Sequence, residues 1–331
     1  MTPATYRHIL KPLLPNDAFS SAPDKLVFST FHLLVMLAGY VGIRYFGPGP
    51  MSIGCSFVIG HSLACIAFIA HDLSHNTIIR KRKPRYALEL IFWGLTFISP
   101  TVWHRVHNHA HHSFTNTLDD PDRQFLTSEA SALTYIYTRL FYPNHYSPWW
   151  NIFVGFHFIP YILRNTVAVF YPNTGKPSLV PAKPRYTLRQ RFAVAFELIF
   201  IAMLQAVIFY IAGATWLRFL FASIIPVLFA SSVVMAYIFT NHFLNPLCDT
   251  SDPLVSSTSI VVPRFIDRLH CNFSYHVEHH LFPNMNSDFY PEVSELLRSR
   301  FAEYDRIRFS VAWKRLWKNE LFVSSHLPPC Q

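Results

Sequence analysis

Histidines gathered in three short segments are the part of this sequence with the clearest chemistry. The chain has 331 residues and 18 histidines. Nine of these histidines, including His109, fall into the clusters His71-Asp-Leu-Ser-His75, His107-Asn-His-Ala-His111-His112 and His276-Val-Glu-His279-His280. A neutral imidazole is the commonest protein ligand of transition metals. The grouping therefore predicts a metal centre.

The spacing within the clusters suits helices that present their rings on one face. Residues at i and i+4 of a helix lie one above the other, as His71 and His75 would, and so would His107 and His111. His242 directly follows the last long apolar stretch and could join the clusters. The candidate ligands are His71, His75, His107, His111, His112, His242, His276, His279 and His280. Zinc sites use three or four protein ligands, so nine candidates suit two metal ions.

The ligand types narrow the chemistry of such a centre. Soluble di-iron carboxylate proteins use Glu-x-x-His motifs, and that motif does not occur in this chain. The site would therefore be rich in nitrogen. Iron in such a site can reduce oxygen and so support removal of hydrogen from an unactivated carbon, whereas zinc has no redox chemistry.

The composition is that of a membrane protein. Hydrophobic residues make up 51% of the chain and charged residues only 14%, and the formal net charge is +9. The basic residues lie beside apolar stretches, as in the run from Arg80 to Arg85. That placement fits the positive-inside rule and contact with membrane lipid, so nucleic acid is not an expected partner.

Four stretches are long enough to cross a bilayer: residues 26–46, 51–70, 192–213 and 216–240. Residues 86–99 are too short for a comfortable span. Residues 149–171 are long enough but contain His157, Pro160, Arg164 and Asn165. If the clusters build one site, an even number of spans must separate them, so we expect both ambiguous stretches to be interfacial or re-entrant helices.

The charges predict the orientation of the resulting two hairpins. The short loops at residues 47–50 and 214–215 carry no charge, whereas Arg80–Arg85 and Arg185–Arg191 lie on the histidine side. We therefore expect the histidines and both chain termini to be cytoplasmic.

The three clusters resemble the histidine boxes of membrane fatty acid desaturases. His71-Asp-Leu-Ser-His75 is similar to the first box. His107-Asn-x-x-His111-His112, followed by Asp120-Pro-Asp122, is similar to the second. Tyr275-His276-Val-Glu-His279-His280-Leu-Phe-Pro283 is similar to the third. The resemblance extends over roughly residues 26 to 305, and the wider superfamily also contains hydroxylases, acetylenases, terminal-alkene-forming decarboxylases and carotenoid ketolases.

The resemblance implies an all-α integral membrane fold, with four transmembrane helices below a cytosolic cap, in one domain over residues 1–331. It implies a di-iron site held by the nine histidines above, His242 corresponding to an extra ligand. It also implies O2 as co-substrate and a fatty acyl substrate linked to CoA, acyl carrier protein or lipid. No His-Pro-Gly-Gly haem motif of a cytochrome b5 domain occurs. A separate donor of ferredoxin or cytochrome b5 type, with its reductase, is therefore expected.

Several alternatives remain open at this point. The same site could hydroxylate, ketolate, form a triple bond or decarboxylate instead of desaturating, and a histidine-rich metal transport or storage protein is a further reading. His61, near the middle of the second span, is either a functional group lining a substrate channel or a neutral ring satisfied by a neighbouring helix. The spacing assigns no clear role to His104, His109 and His270. Within the second span, Cys65 is expected to be a small hydrophobic residue.

Overall fold

The computed structural model describes residues 1–123, 132–170, 185–247 and 252–320. In this part of the chain, five helices are long and apolar enough to cross a membrane. In chain order we call them the first to fifth apolar helices. Their bounds are Lys25–Phe46, Pro50–Ser74, Trp149–Phe170, Leu188–Ile211 and Trp216–His242.

The first, second, fourth and fifth apolar helices coincide with the four predicted spans. The short loops that join the first to the second and the fourth to the fifth lie where they were predicted. Gly47 ends the first apolar helix at φ +68, a left-handed conformation that glycine adopts without strain. Thr187 and Gln190 form a reciprocal capping box at the start of the fourth. The remaining one, Trp149–Phe170, is the stretch that we predicted not to cross. By length and composition it ranks with the other four, and the last residue of the predicted stretch, Tyr171, lies outside the described residues.

The second apolar helix is the centre of the fold. It is the most buried of the five, and it packs against both the first and the fifth. Gly60 makes the close approach to the fifth possible, because a Cβ there would lie 2.9 Å from the Pro226 carbonyl oxygen. Gly155 of the third does the same against the Leu228 carbonyl, at 2.6 Å. Small residues at these crossings bring the backbones together.

The outer faces of the apolar helices are hydrophobic, as a lipid environment requires. Large apolar side chains are exposed along the first and fourth helices, among them Leu34, Val41, Phe196 and Met203. Exposed apolar surface of this extent is unfavourable in water and favourable in a bilayer. The chain is therefore a membrane protein with a mostly helical fold.

The remaining elements are short and surround the histidine clusters. The α-helices are Pro3–Leu10, Arg82–Leu95, Pro100–Trp103, His112–Phe114, Ala132–Phe141, Pro253–Ser256, Arg264–Leu269, His276–Leu281, Tyr290–Arg300 and Phe309–Leu316. Short 3-10 turns occupy Lys11–Leu13, Asn16–Phe19 and Ser287–Phe289, and His104–His111 is a π-helix. The α-helix Arg82–Leu95 contains only 14 residues, in agreement with the prediction that this region is too short to span.

The all-α prediction missed one element, a two-stranded parallel sheet. Ser259–Val261 pairs with Arg306–Arg308, and Ile260 lies opposite Ile307. Three-residue strands give too little alternation for a sequence pattern to identify. The sheet matters for the site, because Ser259 accepts a hydrogen bond from the backbone of Val277 and donates one to Glu278. It thereby fixes the helix that carries the third histidine cluster.

Candidate metal centre

The nine predicted histidines come together in two groups in the structure. In each group, one potential ligand atom per residue lies within 4.8 Å of the others. The first group contains His71, His75, His107, His112 and His279. The second contains His111, His242, His276 and His280. His112 is half-buried and the other eight rings are buried.

Residues 107–112 supply ligand candidates to both groups because the preceding turn is a π-helix. The backbone N–H of His112 donates to the carbonyl of His107, an i to i+5 hydrogen bond. The His107 ring stacks on the His111 ring, with centroids 5.1 Å apart, and meets the His112 ring edge-on at 4.9 Å. His112 belongs to the first group with His107, and His111 belongs to the second. His107 and His111 therefore lie one above the other, as their spacing predicts, although the two rings belong to different groups.

The third cluster is also divided between the groups. His276 and His280 are one turn apart on the short helix His276–Leu281 and both belong to the second group. His279 faces the first group, where its Nε2 lies 3.2 Å from Nε2 of His112. Glu278 points away from both groups, since it binds the hydroxyls of Ser259 and Tyr304. Burial raises the pKa of this carboxyl group.

The ring nitrogens of these histidines have the arrangement that a metal ion would satisfy. Both ring nitrogens of His71 are buried without a hydrogen-bond partner, and so is Nε2 of His75 and of His107. Nε2 of His242 lies only 2.7 Å from Nε2 of His276. Buried polar atoms are rarely left unpaired, so convergent ring nitrogens without partners fit a cation between them.

Burial also favours the protonation state that binds metal. It lowers the pKa of five rings well below the usual histidine value, with neighbouring histidines adding to the effect. These rings are His107, His112, His276, His279 and His280. They are therefore neutral near pH 7, which is the form that coordinates a metal ion.

Hydrogen bonds to Nδ1 orient several of the rings so that Nε2 is directed inwards. Asp120 Oδ1 lies 2.9 Å from Nδ1 of His111. Asp122 Oδ2 lies 3.4 Å from Nδ1 of His107. A carboxylate that accepts the second N–H of an imidazole fixes its tautomer and raises its basicity as a ligand.

Neutral groups make the corresponding contacts to the third cluster. The hydroxyl of Tyr290 is 3.1 Å from Nδ1 of His279. Thr115 donates to the His111 carbonyl, so its oxygen is free to accept from Nδ1 of His280 at 3.3 Å. Each contact leaves Nε2 of the ring available for a metal ion.

Of the polar residues that flank the clusters in sequence, only some contact a ring. Asp122 does, and Asp72 Oδ1 lies 3.5 Å from Nδ1 of His71. Asn108 and Asn116 instead donate to backbone carbonyls, those of Ser74 and of His242 and Ser256, and so serve the local fold. Sequence reasoning missed the roles of Asp120, Thr115 and Tyr290. The Asp-Pro-Asp segment after the second cluster was the available signal for Asp120.

A largely apolar cavity reaches both histidine groups. His71 and His107 of the first group and His111 and His242 of the second line one part of it. The apolar lining comes from Ala67, Phe68, Trp93, Ile98, Trp103, Phe158, Val227, Ala230, Val234, Met235, Ile238 and Phe273. The apolar lining is suited to a hydrocarbon chain, whose carbons would lie beside the histidines.

A buried ion pair closes the polar side of this cavity. Arg164 Nη1 lies 2.7 Å from Asp122 Oδ1, and the Tyr161 hydroxyl donates to the same oxygen at 3.0 Å. Burial opposes ionisation of Asp122, but the charge of Arg164 outweighs it and lowers the pKa of Asp122. The carboxylate therefore stays charged while it orients His107.

The remaining histidines with unassigned roles lie outside both groups. His104 Nε2 is 3.0 Å from Glu89, and His109 is exposed to solvent. His61 lies beside Cys65 and His270 and is not among the residues that line the cavity.

Comparison with known proteins gives a consistent family match. The family model described as fatty acid desaturase matches residues 48–312, a range that includes all nine histidines. The chain is 24% identical over 288 residues to the putative fatty acid desaturase 2-like protein FADS2B of Homo sapiens, covering 82% of this chain and 56% of that protein. It is 28% identical over 260 residues to the delta 8-(E)-sphingolipid desaturase of Lachancea kluyveri, covering 70% of this chain and 43% of that protein. The chain thus spans about half the length of the curated relatives it matches.

Proposed function

Since the chain belongs to the fatty acid desaturase family, we propose that it is an oxygen-dependent desaturase of fatty acyl chains. The observation that carries the proposal is the apolar cavity that meets both histidine groups. One relative is named a sphingolipid desaturase and the other a putative fatty acid desaturase 2-like protein. Both names favour desaturation over hydroxylation, ketolation, triple-bond formation or decarboxylation on the same scaffold.

The nine histidines would hold two iron ions. His71, His75, His107, His112 and His279 would hold one, and His111, His242, His276 and His280 the other. Iron supplies the redox chemistry by which O2 is reduced and hydrogen is removed from an unactivated carbon. The division into five and four ring nitrogens, with no carboxylate in either group, supports a nitrogen-rich pair of sites.

The chain's own residues position the reactants. The apolar cavity walls hold an extended acyl chain and exclude water, so two adjacent methylene groups remain beside the histidines. Asp120 and Asp122 keep His111 and His107 in the ligand tautomer by accepting from Nδ1. The balanced reaction converts the acyl chain, O2, two electrons and two protons into the unsaturated chain and two water molecules.

We propose that four of the five apolar helices cross the membrane and that Trp149–Phe170 does not. Three apolar helices lie between the second and third clusters, and three crossings would put those clusters on opposite sides. Their rings are in contact, as for His112 and His279. Trp149–Phe170 is the best candidate for an interfacial or re-entrant position, because its Arg164 pairs with Asp122 of the histidine region.

The remaining parts of the proposal concern orientation and partners. Basic residues at Arg80–Arg85 and Arg185–Arg191 support a cytoplasmic position for the histidine cap and both termini, by the positive-inside rule. From there the centre can receive electrons from a donor of ferredoxin or cytochrome b5 type with its reductase. The substrate is an acyl chain linked to CoA, acyl carrier protein or a membrane lipid.

Lipid profiling of a heterologous host tests this function. Expression of the wild-type chain is expected to add lipids with two hydrogen atoms fewer than their saturated precursors. His279→Ala should abolish them, whereas the matched control His109→Ala should not, because His109 is exposed and belongs to neither group. Hydroxylated products, or unsaturated products that persist in His279→Ala, would refute the proposal.

A further inference from the structure

A second cluster of side chains that can bind metal is separate from the nine histidines. One ligand atom each from His61, Cys65 and His270 lies within 4.8 Å of the other two. Cys65 and His270 are buried and His61 is half-buried. The family's histidine boxes include none of the three, and the mechanism above uses none of them.

Helix geometry brings the first two together. His61 and Cys65 are one turn apart on the second apolar helix, and His61 Nδ1 lies 3.9 Å from the Cys65 sulfur. His270 follows the short helix Arg264–Leu269 and reaches them from the histidine cap. Its ring packs on Phe68, with centroids 4.9 Å apart, which holds it against the second apolar helix.

The hydrogen bonding of His270 leaves one nitrogen directed at the group. Its Nδ1 contacts the Tyr237 hydroxyl at 2.9 Å. Its Nε2 is buried without a partner, and the residue is only 4% exposed. A fixed partner on one ring nitrogen and an unpaired second nitrogen is the arrangement of a metal-ligating histidine.

The three atoms need little movement to share one ion. Ligands that are each about 2.0–2.3 Å from a metal lie roughly 3.5–4 Å apart. The His61–Cys65 distance of 3.9 Å already falls in that range. His32 on the first apolar helix also has two ring nitrogens that are buried without partners.

We propose that His61, Cys65 and His270 bind one Cu(I) ion. A thiolate is a soft ligand that favours Cu(I), and imidazole also binds copper, so the three side chains suit monovalent copper. A Cu(I) ion with one thiolate has no net charge, whereas Zn²⁺ with the same ligands keeps one positive charge. The group contains no carboxylate to balance that charge. An uncompensated charge in apolar surroundings is strongly unfavourable, so the neutral complex is preferred.

X-ray absorption spectroscopy at the copper edge tests the proposal on the full chain. The iron-loaded protein in detergent would receive one equivalent of Cu(I) from its bicinchoninate complex, without oxygen. The expected spectrum contains one sulfur neighbour at about 2.3 Å and two nitrogen neighbours. A sulfur neighbour identifies the site, because neither of the two histidine groups contains a cysteine.

Two serine variants in the same helix provide the comparison. Cys65→Ser should remove the sulfur neighbour, and Cys55→Ser, outside the group, should keep it. The iron content of each variant shows whether it is folded. His270→Gln provides an independent variant: it should lose the His270 nitrogen neighbour and weaken Cu(I) retention at least tenfold. Absence of sulfur from the wild-type spectrum, sulfur retained in Cys65→Ser, or uptake of Zn²⁺ in preference to Cu(I) would overturn the proposal.

Discussion

Replacing Asp120 by asparagine should selectively weaken the second metal site. Asp120 is 1% exposed, its Oδ1 lies 2.9 Å from Nδ1 of His111, and its Oδ2 accepts from the backbone N–H of Asn116 at 2.8 Å. Asparagine keeps the shape and one acceptor oxygen but removes the negative charge. The local turn at Asn116 should therefore remain while the orientation of His111 weakens.

The structure sets the expected size of the effect. A buried hydrogen bond to a charged group contributes about 1.5–3 kcal/mol. Each 1.4 kcal/mol corresponds to roughly a tenfold change in an equilibrium constant, so iron affinity at the second group should fall about 10- to 100-fold. His111 belongs only to the second group, so affinity at the first group should change little.

Titration with a competing iron chelator measures this difference. The wild-type protein should lose its iron over one narrow range of chelator concentration, whereas Asp120→Asn should lose half of it at a lower concentration. Asp119→Asn is the matched control, because Asp119 is exposed and adjacent in sequence. Unchanged affinity in Asp120→Asn, or an equal loss in Asp119→Asn, would refute the assigned role of this carboxylate.

Three further predictions concern the cavity, the helix packing and pH. Ala230→Phe fills part of the cavity lining and should shift products toward shorter acyl chains in host lipid profiles; an unchanged chain-length distribution would argue against this cavity. Gly60→Val should force the second and fifth apolar helices apart and lower the free energy of unfolding by about 1–3 kcal/mol. Gly54→Ala should have little effect, because nothing lies within 4 Å of a Cβ at that position. Folding lowers the pKa of five histidines, His107, His112, His276, His279 and His280, so in acid the unfolded chain binds more protons than the folded one. The metal-free protein should therefore lose stability as the pH falls below about 6.5. A melting temperature that stays constant from pH 7 to pH 5 would contradict this.

Much of the fold follows from the sequence because long apolar runs have few alternatives in a bilayer. The helices at residues 25–46, 50–74, 188–211 and 216–242 match the predicted spans closely. His242 illustrates how position along the chain predicts a site: it ends the last apolar helix, as His71 and His75 end the second. All three rings therefore reach the same region.

The division of the ligands could not be predicted, because it depends on local geometry that side-chain types do not encode. At the end of the π-helix at residues 104–111 the second cluster divides, with His107 and His112 in the first group and His111 in the second. A one-residue change in helical turn has no signature in the histidine spacing. Contacts between distant segments were equally hidden, as for His61 with His270 and for Arg164 with Asp122.

The most direct test of the account is a single turnover with iron-loaded protein in detergent. The protein is reduced without oxygen in the presence of a saturated acyl substrate, and O2 is then added. We predict an unsaturated acyl product only after O2 addition, from protein that contains two iron ions per chain. Product formed before O2 is added, or full activity in protein with a single iron ion, would contradict the proposed di-iron desaturase.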